Sequence, residues 1–284
     1  MNFKLAEHFL AQLSEAEKEL PVSPALLGEL FRQTSSDSPL SLDDISGTIS
    51  RDQALTAGVL SRANSAYYGF QGKISSISRA ISLLGLSELR KILLFVTMSA
   101  LSRKADQNVI DLGNYWEHQC LVAFLSRELG ILCARDDYQE LFVTGILHDL
   151  GKLMLVLYQP QVWRKVSEIS AQKKVAFFQA EHEFWGLDHA VAGALVLKSW
   201  NLPEAITEAI SAHHSPETAE QACAEQAMIV SLADAISYHH DREISREYHQ
   251  IIGLLGLDEQ KTMEAALKVS SDPGLVSLQR MLVH

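Results

Sequence analysis

Residues Val143 to Leu153 read VTGILHDLGKL: an apolar helical run closes on an adjacent histidine and aspartate, His148 and Asp149, and Gly151 follows. Neighbouring side chains diverge by about 100° inside a helix, but where a helix ends both can face one point. A helix end at Gly151 is expected on this pattern. A second doublet has the same form: His213-His214 closes AISAHHSP, with Ser215-Pro216 after it. Three further His/Asp positions lie on helix-like text between these and around them. They are His118 in NYWEHQCLVA, His189 in GLDHAVAGAL and Asp234 in VSLADAIS. Five helical segments can therefore aim five imidazoles and two carboxylates at one interior point.

Such a cluster is costly unless its charges are paired or bound to metal. Imidazole and carboxylate donors suit iron, manganese or zinc, one ion or two, and no thiolate narrows the choice. The three cysteines, Cys120, Cys133 and Cys223, are far apart and form no C-x-x-C pair, so they read as buried reduced thiols. An aspartate bridging two ions is a usual feature of phosphoester hydrolysis sites.

The rest of the 284-residue chain is helical in pattern. Leu83, Leu84, Leu86, Leu89, Ile92, Leu93 and Val96 form one stripe at helical spacing. Trp116, Leu121, Phe124, Leu125 and Leu129 form another, and Met228, Ile229, Leu232, Ala233 and Ile236 a third. Alternating strand patterns are scarce. Only 15 glycines and 7 prolines interrupt the chain, as an all-α protein requires. Ser41 and Asp188 read as N-caps, Pro203 as a first-turn proline, and Gly130, Gly256 and Asn64-Ser65 as helix ends. The polar stretch RKADQNVIDLG (Arg103 to Gly113) is a seam between two abutting helical halves. The expected division is 1–105, 106–242 with the His/Asp set, and a C-terminal helical extension, 243–284.

Charge and hydropathy exclude several classes. Lys+Arg 24 against Asp+Glu 35 gives a net charge of −11, without the basic footprint that nucleic acid or anionic membrane demands. The N-terminus, with four glutamates in MNFKLAEHFLAQLSEAEKEL, is no signal peptide. The apolar run Ile92 to Leu101 is half the ~20 residues of a membrane span, so a cytoplasmic protein is expected. Nucleotide-binding glycine loops and the G-x-S-x-G elbow are absent from the sequence. Leu42 to Arg62 has a helix-turn-helix cadence. Arg51 and Arg62 are its only basic residues, so it reads as an amphipathic pair facing the core. HEFWGLDH (His182 to His189) lacks the H-E-x-x-H spacing of a zinc protease, and His182 reads as a surface residue. Tyr238-His239-His240-Asp241 reads as a helix C-cap. Trp163, Phe177, Phe178, Phe184, Trp185 and Trp200 read as packing between the halves.

His118, the doublet in GILHDLGK, and Asp234 in LADAI resemble the H…HD…D pattern of the HD phosphohydrolase superfamily. LPVSPALLGELF, ISRDQALTAGVLSRANSAYYG, ISRAISLLGLSELRKILL and DHAVAGALVLKSWNLPEAITEAISAHH resemble its HDOD branch, a family of bacterial regulatory domains, over residues 18 to 240. The resemblance implies an HD-like helical bundle in the C-terminal half. It also implies that His118, His148, Asp149 and Asp234 match the ligands of a first metal, and His189, His213 and His214 those of a second. Asp149 would then bridge, and Lys152 would match a lysine that contacts substrate phosphate in HD-GYP phosphodiesterases. Many HDOD domains resemble relatives that lost catalysis and act in signal transduction through protein partners. Ser-Pro-Glu-Thr after His214 departs from the HD-GYP loop, and no Arg/Lys cluster accompanies Lys152. The expectation is a signalling protein with a retained metal site. The alternative is an active metal-dependent phosphohydrolase on a nucleotide or other phosphoester.

Overall fold

The computed structural model describes residues 41–65, 67–70, 72–238 and 246–283, together with His8, Phe9, Ala11, Gln12, Gly28 and Glu29. Most of LPVSPALLGELF, and the stretch His239-His240-Asp241, lie outside the described residues. All regular elements among the described residues are helical, in agreement with the all-α expectation.

Helices α1 (Leu42–Ser50) and α2 (Gln53–Ala63) form the helix-turn-helix pair. Ser41 caps α1 in a reciprocal box with Asp44, and Asp52 caps α2. Ile45, Ile49, Leu55, Val59 and Ala63 are buried, so both apolar faces do meet the core. Arg62 turns inward and donates to Ser99 Oγ at 2.7 Å.

Helix α3 (Ile77–Ser102) is broken at Gly85, whose φ of 81° and ψ of 170° interrupt the helical path. The expected stripe therefore does not continue through it: Leu83 is exposed, whereas Leu89, Ile92 and Leu93 are buried. A residue with a side chain would be strained at that φ, so the glycine sets the bend.

After the seam, α4 (Leu112–Leu132) runs through the centre of the protein. It packs against α5 (Tyr138–Leu147), α11 (Ala224–Tyr238), α13 (Glu259–Ser270) and α14 (Pro273–Val283). Trp116, Phe124, Leu125 and Leu129 are buried along it. Gly130 is not its end. The helix continues to Leu132, and a Cβ on Gly130 would stand 2.4 Å from Leu141 Cδ1.

Helix α6 (Leu150–Tyr158) follows α5 almost directly, then α7 (Pro160–Lys173), α8 (Phe177–Trp185), α9 (His189–Ser199), α10 (Glu204–Ser211) and a short 3₁₀ turn. Asp188 caps α9 as expected, accepting from Val191 N–H. Pro203 stands one place earlier than expected, at the N-cap of α10. Helix α12 (Arg246–Leu254) precedes α13 and α14, and Gly256 follows its end.

One continuous apolar cluster runs from Phe9 to Leu282. Tyr138–Tyr158, which spans α5 and α6, has the length and apolarity of a membrane span, with a mean hydropathy of 1.5. However, 83% of that window is buried inside the protein. Its apolarity serves the core. Trp185 and Trp200 are fully buried, and Phe9 meets Trp185 edge-on. Phe184 is exposed instead of packing between halves. The three cysteines are free; Cys120 and Cys223 are buried, and Cys133 is half-buried.

Candidate metal centre

The joint between α5 and α6 builds the centre. Leu147 ends one helix and Leu150 starts the next, so His148 and Asp149 occupy a two-residue turn between them. Gly151 is not a helix end, contrary to the sequence expectation. It lies in the first turn of α6 against α9, where a Cβ would stand 1.9 Å from His189 O and 2.8 Å from Gly193 N. The glycine is there for close approach, and that approach delivers His189 to Asp149. His118 projects from the second turn of α4, Asp234 from α11, and His213-His214 follow the end of α10.

All seven side chains converge. His118 Nε2 lies 3.2 Å from His148 Nε2, 3.4 Å from Asp149 Oδ2 and 3.1 Å from Asp234 Oδ1. His148 Nε2 is 3.5 Å from both Asp149 Oδ2 and Asp234 Oδ1. On the other side, His189 Nε2 is 2.9 Å from Asp149 Oδ1 and 2.8 Å from His214 Nε2, and His213 Nε2 is 4.0 Å from Asp149 Oδ1. The two oxygens of Asp149 thus face different histidine groups. His148, Asp149, His189 and His213 are almost wholly buried.

The ring tautomers follow from the partners. His148 Nδ1 lies 2.8 Å from Gly145 O and His213 Nδ1 2.7 Å from Ile210 O; a carbonyl only accepts, so these nitrogens carry the proton. Ser237 Oγ donates to Asp234 O at 2.6 Å and accepts from His118 Nδ1 at 3.0 Å. His189 Nδ1 donates to the Glu181 carboxylate at 2.6 Å. Each of these rings turns Nε2 inward, and a neutral ring presents its lone pair there. Two such lone pairs 3.2 Å apart, as in His118 and His148, repel unless a cation or a proton lies between them.

The donor set fits a metal ion by that test and by a second. Asp149 Oδ1, Asp234 Oδ1 and His213 Nε2 are buried with no aligned hydrogen-bond partner, although other polar atoms stand within about 4 Å. Buried polar atoms rarely remain so. Separations near 3 Å between donors are those of neighbouring ligands around an ion with bonds of about 2.1 Å. The sets His118-His148-Asp149, His148-His213-Asp234 and His189-His213-His214 each bring three donor atoms within 4.8 Å of one another.

The electrostatics are strongly coupled. Burial opposes the charged form of Asp149, but His148, Lys152 and His189 outweigh it and hold the carboxyl well below the usual range. Asp234 is lowered in the same way, burial being outweighed by His118 and His148. Burial also works against the charged form of His118, yet Asp149 and Asp234 lift it to about 9. Glu181 and Asp149 lift His189 to about 9 against the same penalty. His213 falls to about 4, through burial first and then the neighbouring His148 and His189, and His214 is lowered by burial and by His213 and His189. Lys152 Nζ stands 2.6 Å from Asp149 Oδ2, so its ammonium pairs with that aspartate.

A cavity of about 660 Å³ opens onto His213, His214 and Asp234, walled by Phe178, Met228, Tyr248 and Ile251. Phe178 stacks on His214 with centroids 4.3 Å apart, and Phe177 lies 6.3 Å from His189. These two half-buried rings lie against the histidines of the centre and outside the apolar core cluster. His182 is a surface residue as expected, exposed and held by Asp188 at 2.9 Å. Glu181 beside it escaped the sequence reading. Its signal was position: Phe177, Glu181 and Trp185 follow at four-residue steps, which places a glutamate within an apolar stripe.

A helical bundle with a His-Asp doublet at a helix joint, completed by His and Asp from neighbouring helices, defines an all-α HD-like fold. The HDOD domain profile matches residues 20–216, more than half of the sequence, and the chain belongs to the HDOD domain family. An uncharacterized protein of Treponema pallidum is 27% identical over 208 residues. That match covers 72% of this chain and 39% of the relative, so the chain spans well under half of that protein's length. A crystal structure from Shewanella amazonensis, provisionally described as a phosphohydrolase, is 26% identical with a TM-score of 0.72, covering 96% of this chain and 98% of that one. An HDOD domain protein of unknown function from Geobacter sulfurreducens is 24% identical with a TM-score of 0.66. It covers 97% and 94% of the two chains and supports the fold.

Proposed function

We propose that this chain is a bacterial HDOD signalling protein with a retained dinuclear metal site. His118, His148, Asp149 and Asp234 hold one divalent transition-metal ion, and Asp149, His189, His213 and His214 hold a second. The observation that carries this reading is the trio of buried ligand atoms without an aligned hydrogen bond: Asp149 Oδ1, Asp234 Oδ1 and His213 Nε2. The divided facing of the Asp149 oxygens supports its bridging role. Family membership supports a regulatory role through a protein partner. The burial of Tyr138–Tyr158 accounts for its apolarity by the core and not by a membrane.

A second reading, an active phosphohydrolase, draws support from the cavity that reaches the centre. Ions held there would supply Lewis acidity and an activated water for attack on phosphorus. The chain's own part would fall to Asp149, which keeps both groups of histidines in register, and to Lys152. Lys152 pairs with Asp149 Oδ2 at 2.6 Å and would exchange that partner for a phosphate oxygen.

Metal analysis of protein prepared anaerobically tests the first reading. One to two ions per chain are expected on loading with Fe, Mn or Zn. A content that stays below ~0.1 per chain overturns both readings. Loaded protein is then assayed with bis(p-nitrophenyl) phosphate and nucleotides. Turnover lost in Asp149→Ala supports the enzyme, and turnover unaffected by that substitution rules out the site as its source.

A further inference from the structure

Four of the imidazoles are steered from behind, but not alike. Ser237 Oγ, Gly145 O and Ile210 O, all neutral, accept from His118, His148 and His213. His189 alone has a carboxylate behind it. Glu181 Oε2 accepts from His189 Nδ1 at 2.6 Å and from the His189 backbone N–H at 3.0 Å. The side chain is completely buried, and Oε1 has no hydrogen-bond partner. Burial of a whole carboxylate is expensive unless something positive answers it.

The asymmetry matches a deficit in the site. The His118-His148 group faces two anionic oxygens, Asp149 Oδ2 and Asp234 Oδ1. The His189-His213-His214 group has one close anionic oxygen of its own, Asp149 Oδ1, at 2.9 Å from His189. A dication among three neutral imidazoles would be short of negative charge. Glu181 supplies it one bond further out, by pulling on the Nδ1 proton and so making Nε2 the stronger donor. Its two hydrogen bonds also fix the angle of the ring against the start of α9.

We propose that Glu181 is a positioning residue that sets the affinity of the His189-His213-His214 half of the centre independently of the other half. Ser237 is its neutral counterpart behind His118. The inference rests on the metal-site reading above and deepens it by separating the two halves.

Manganous ion titrated into the 284-residue chain, with calorimetry and metal content as readouts, tests it. Two binding steps are assigned through His214→Ala and Asp234→Ala, which each remove a ligand of one half. Glu181→Gln is expected to weaken the His214-dependent step by about 10–100-fold and leave the other within about threefold, the loss usual when an outer partner of a ligand is removed. Ser237→Ala is expected to weaken the Asp234-dependent step instead. Equal loss at both steps in both variants marks a merely structural role and overturns the proposal. Unchanged constants in Glu181→Gln, with normal wild-type loading, overturn it alone. A wild-type chain that takes up no manganese, iron or zinc overturns the metal-site reading as well. If Glu181→Gln does not fold, Glu181→Asp gives the comparison. It keeps the charge but withdraws it by one methylene, and a loss at the same single step is expected.

Discussion

Gly151→Ala tests the contact that assembles the centre. The added Cβ would stand 1.9 Å from His189 O, 2.7 Å from His189 C and 2.8 Å from Gly193 N, all backbone atoms that cannot rotate away. Real Cβ atoms essentially never come within 3.0 Å, so at the carbonyl α9 must withdraw by about 1.1 Å, the difference 3.0 − 1.9. Overpacking of this kind costs about 1–3 kcal/mol, and a clash between two backbones belongs at the upper end. At about 2–4 °C per kcal/mol for a chain of this size, melting should fall by about 5–10 °C. The same withdrawal moves His189 Nε2 from its 2.9 Å position beside Asp149 Oδ1. Metal sites tolerate only about 0.5 Å of such movement, so manganese affinity should drop while the helical content survives. Thermal melts by circular dichroism and metal titration measure the two effects. Gly47→Ala is the control, since a Cβ there meets nothing within 4 Å and the position is helical. It should leave stability unchanged or raise it by up to about 1 kcal/mol. A Gly151→Ala protein that melts with the wild type and binds manganese equally would refute the close approach of α6 and α9.

Metal uptake should release protons. His118 and His189, held near 9 in the ion-free protein, each carry a proton at pH 7.5, whereas His213 and His214 are already neutral there. Full loading should therefore expel about two protons, measured by calorimetry in buffers of different ionisation enthalpy, and affinity should climb until about pH 9. In the ion-free protein the same raised values stabilise the fold below about pH 6.5, and that contribution is lost as pH rises through 9. Asp137→Ala should cost about 1–3 kcal/mol. Its carboxylate takes Arg135 Nε at 2.7 Å, Arg135 Nη2 at 2.6 Å and Gln226 Nε2 at 2.6 Å, which ties the start of α5 to α11. Burial works to raise the pKa of Asp137, but the bonds from Arg135 and Gln226 lower it. Its contribution is therefore present above the ordinary carboxylate range, and urea melts of variant and wild type should converge as pH falls through the lowered value.

Much of the site was legible in the chain. His148-Asp149 and His213-His214 stand where helices end, and that local fact lets adjacent side chains share one target. Helical spacing identified the faces of α4 and α11, and Ser41, Asn64 and Asp188 marked helix termini through their own side chains. Glycine was read less well. Gly130 and Gly151 looked like stops, because the lack of a side chain serves a turn and a close approach equally, and the difference lies in an element remote in sequence. Gly85 broke a stripe that periodicity had carried straight through.

Composition and period alone determined an acidic all-α chain and the seven side chains able to gather at its centre, because helix period and residue type are local properties. Tertiary structure decided the rest. It turned each Nε2 inward through Gly145 O, Ile210 O, Ser237 and Glu181, divided the Asp149 oxygens between two groups of histidines, and paired Lys152 with Asp149. Ring orientation depends on the acceptor behind each imidazole. Those acceptors lie three residues away in the cases of His148 and His213, but 8 residues away for His189 and 119 for His118, where only packing brings them to the ring.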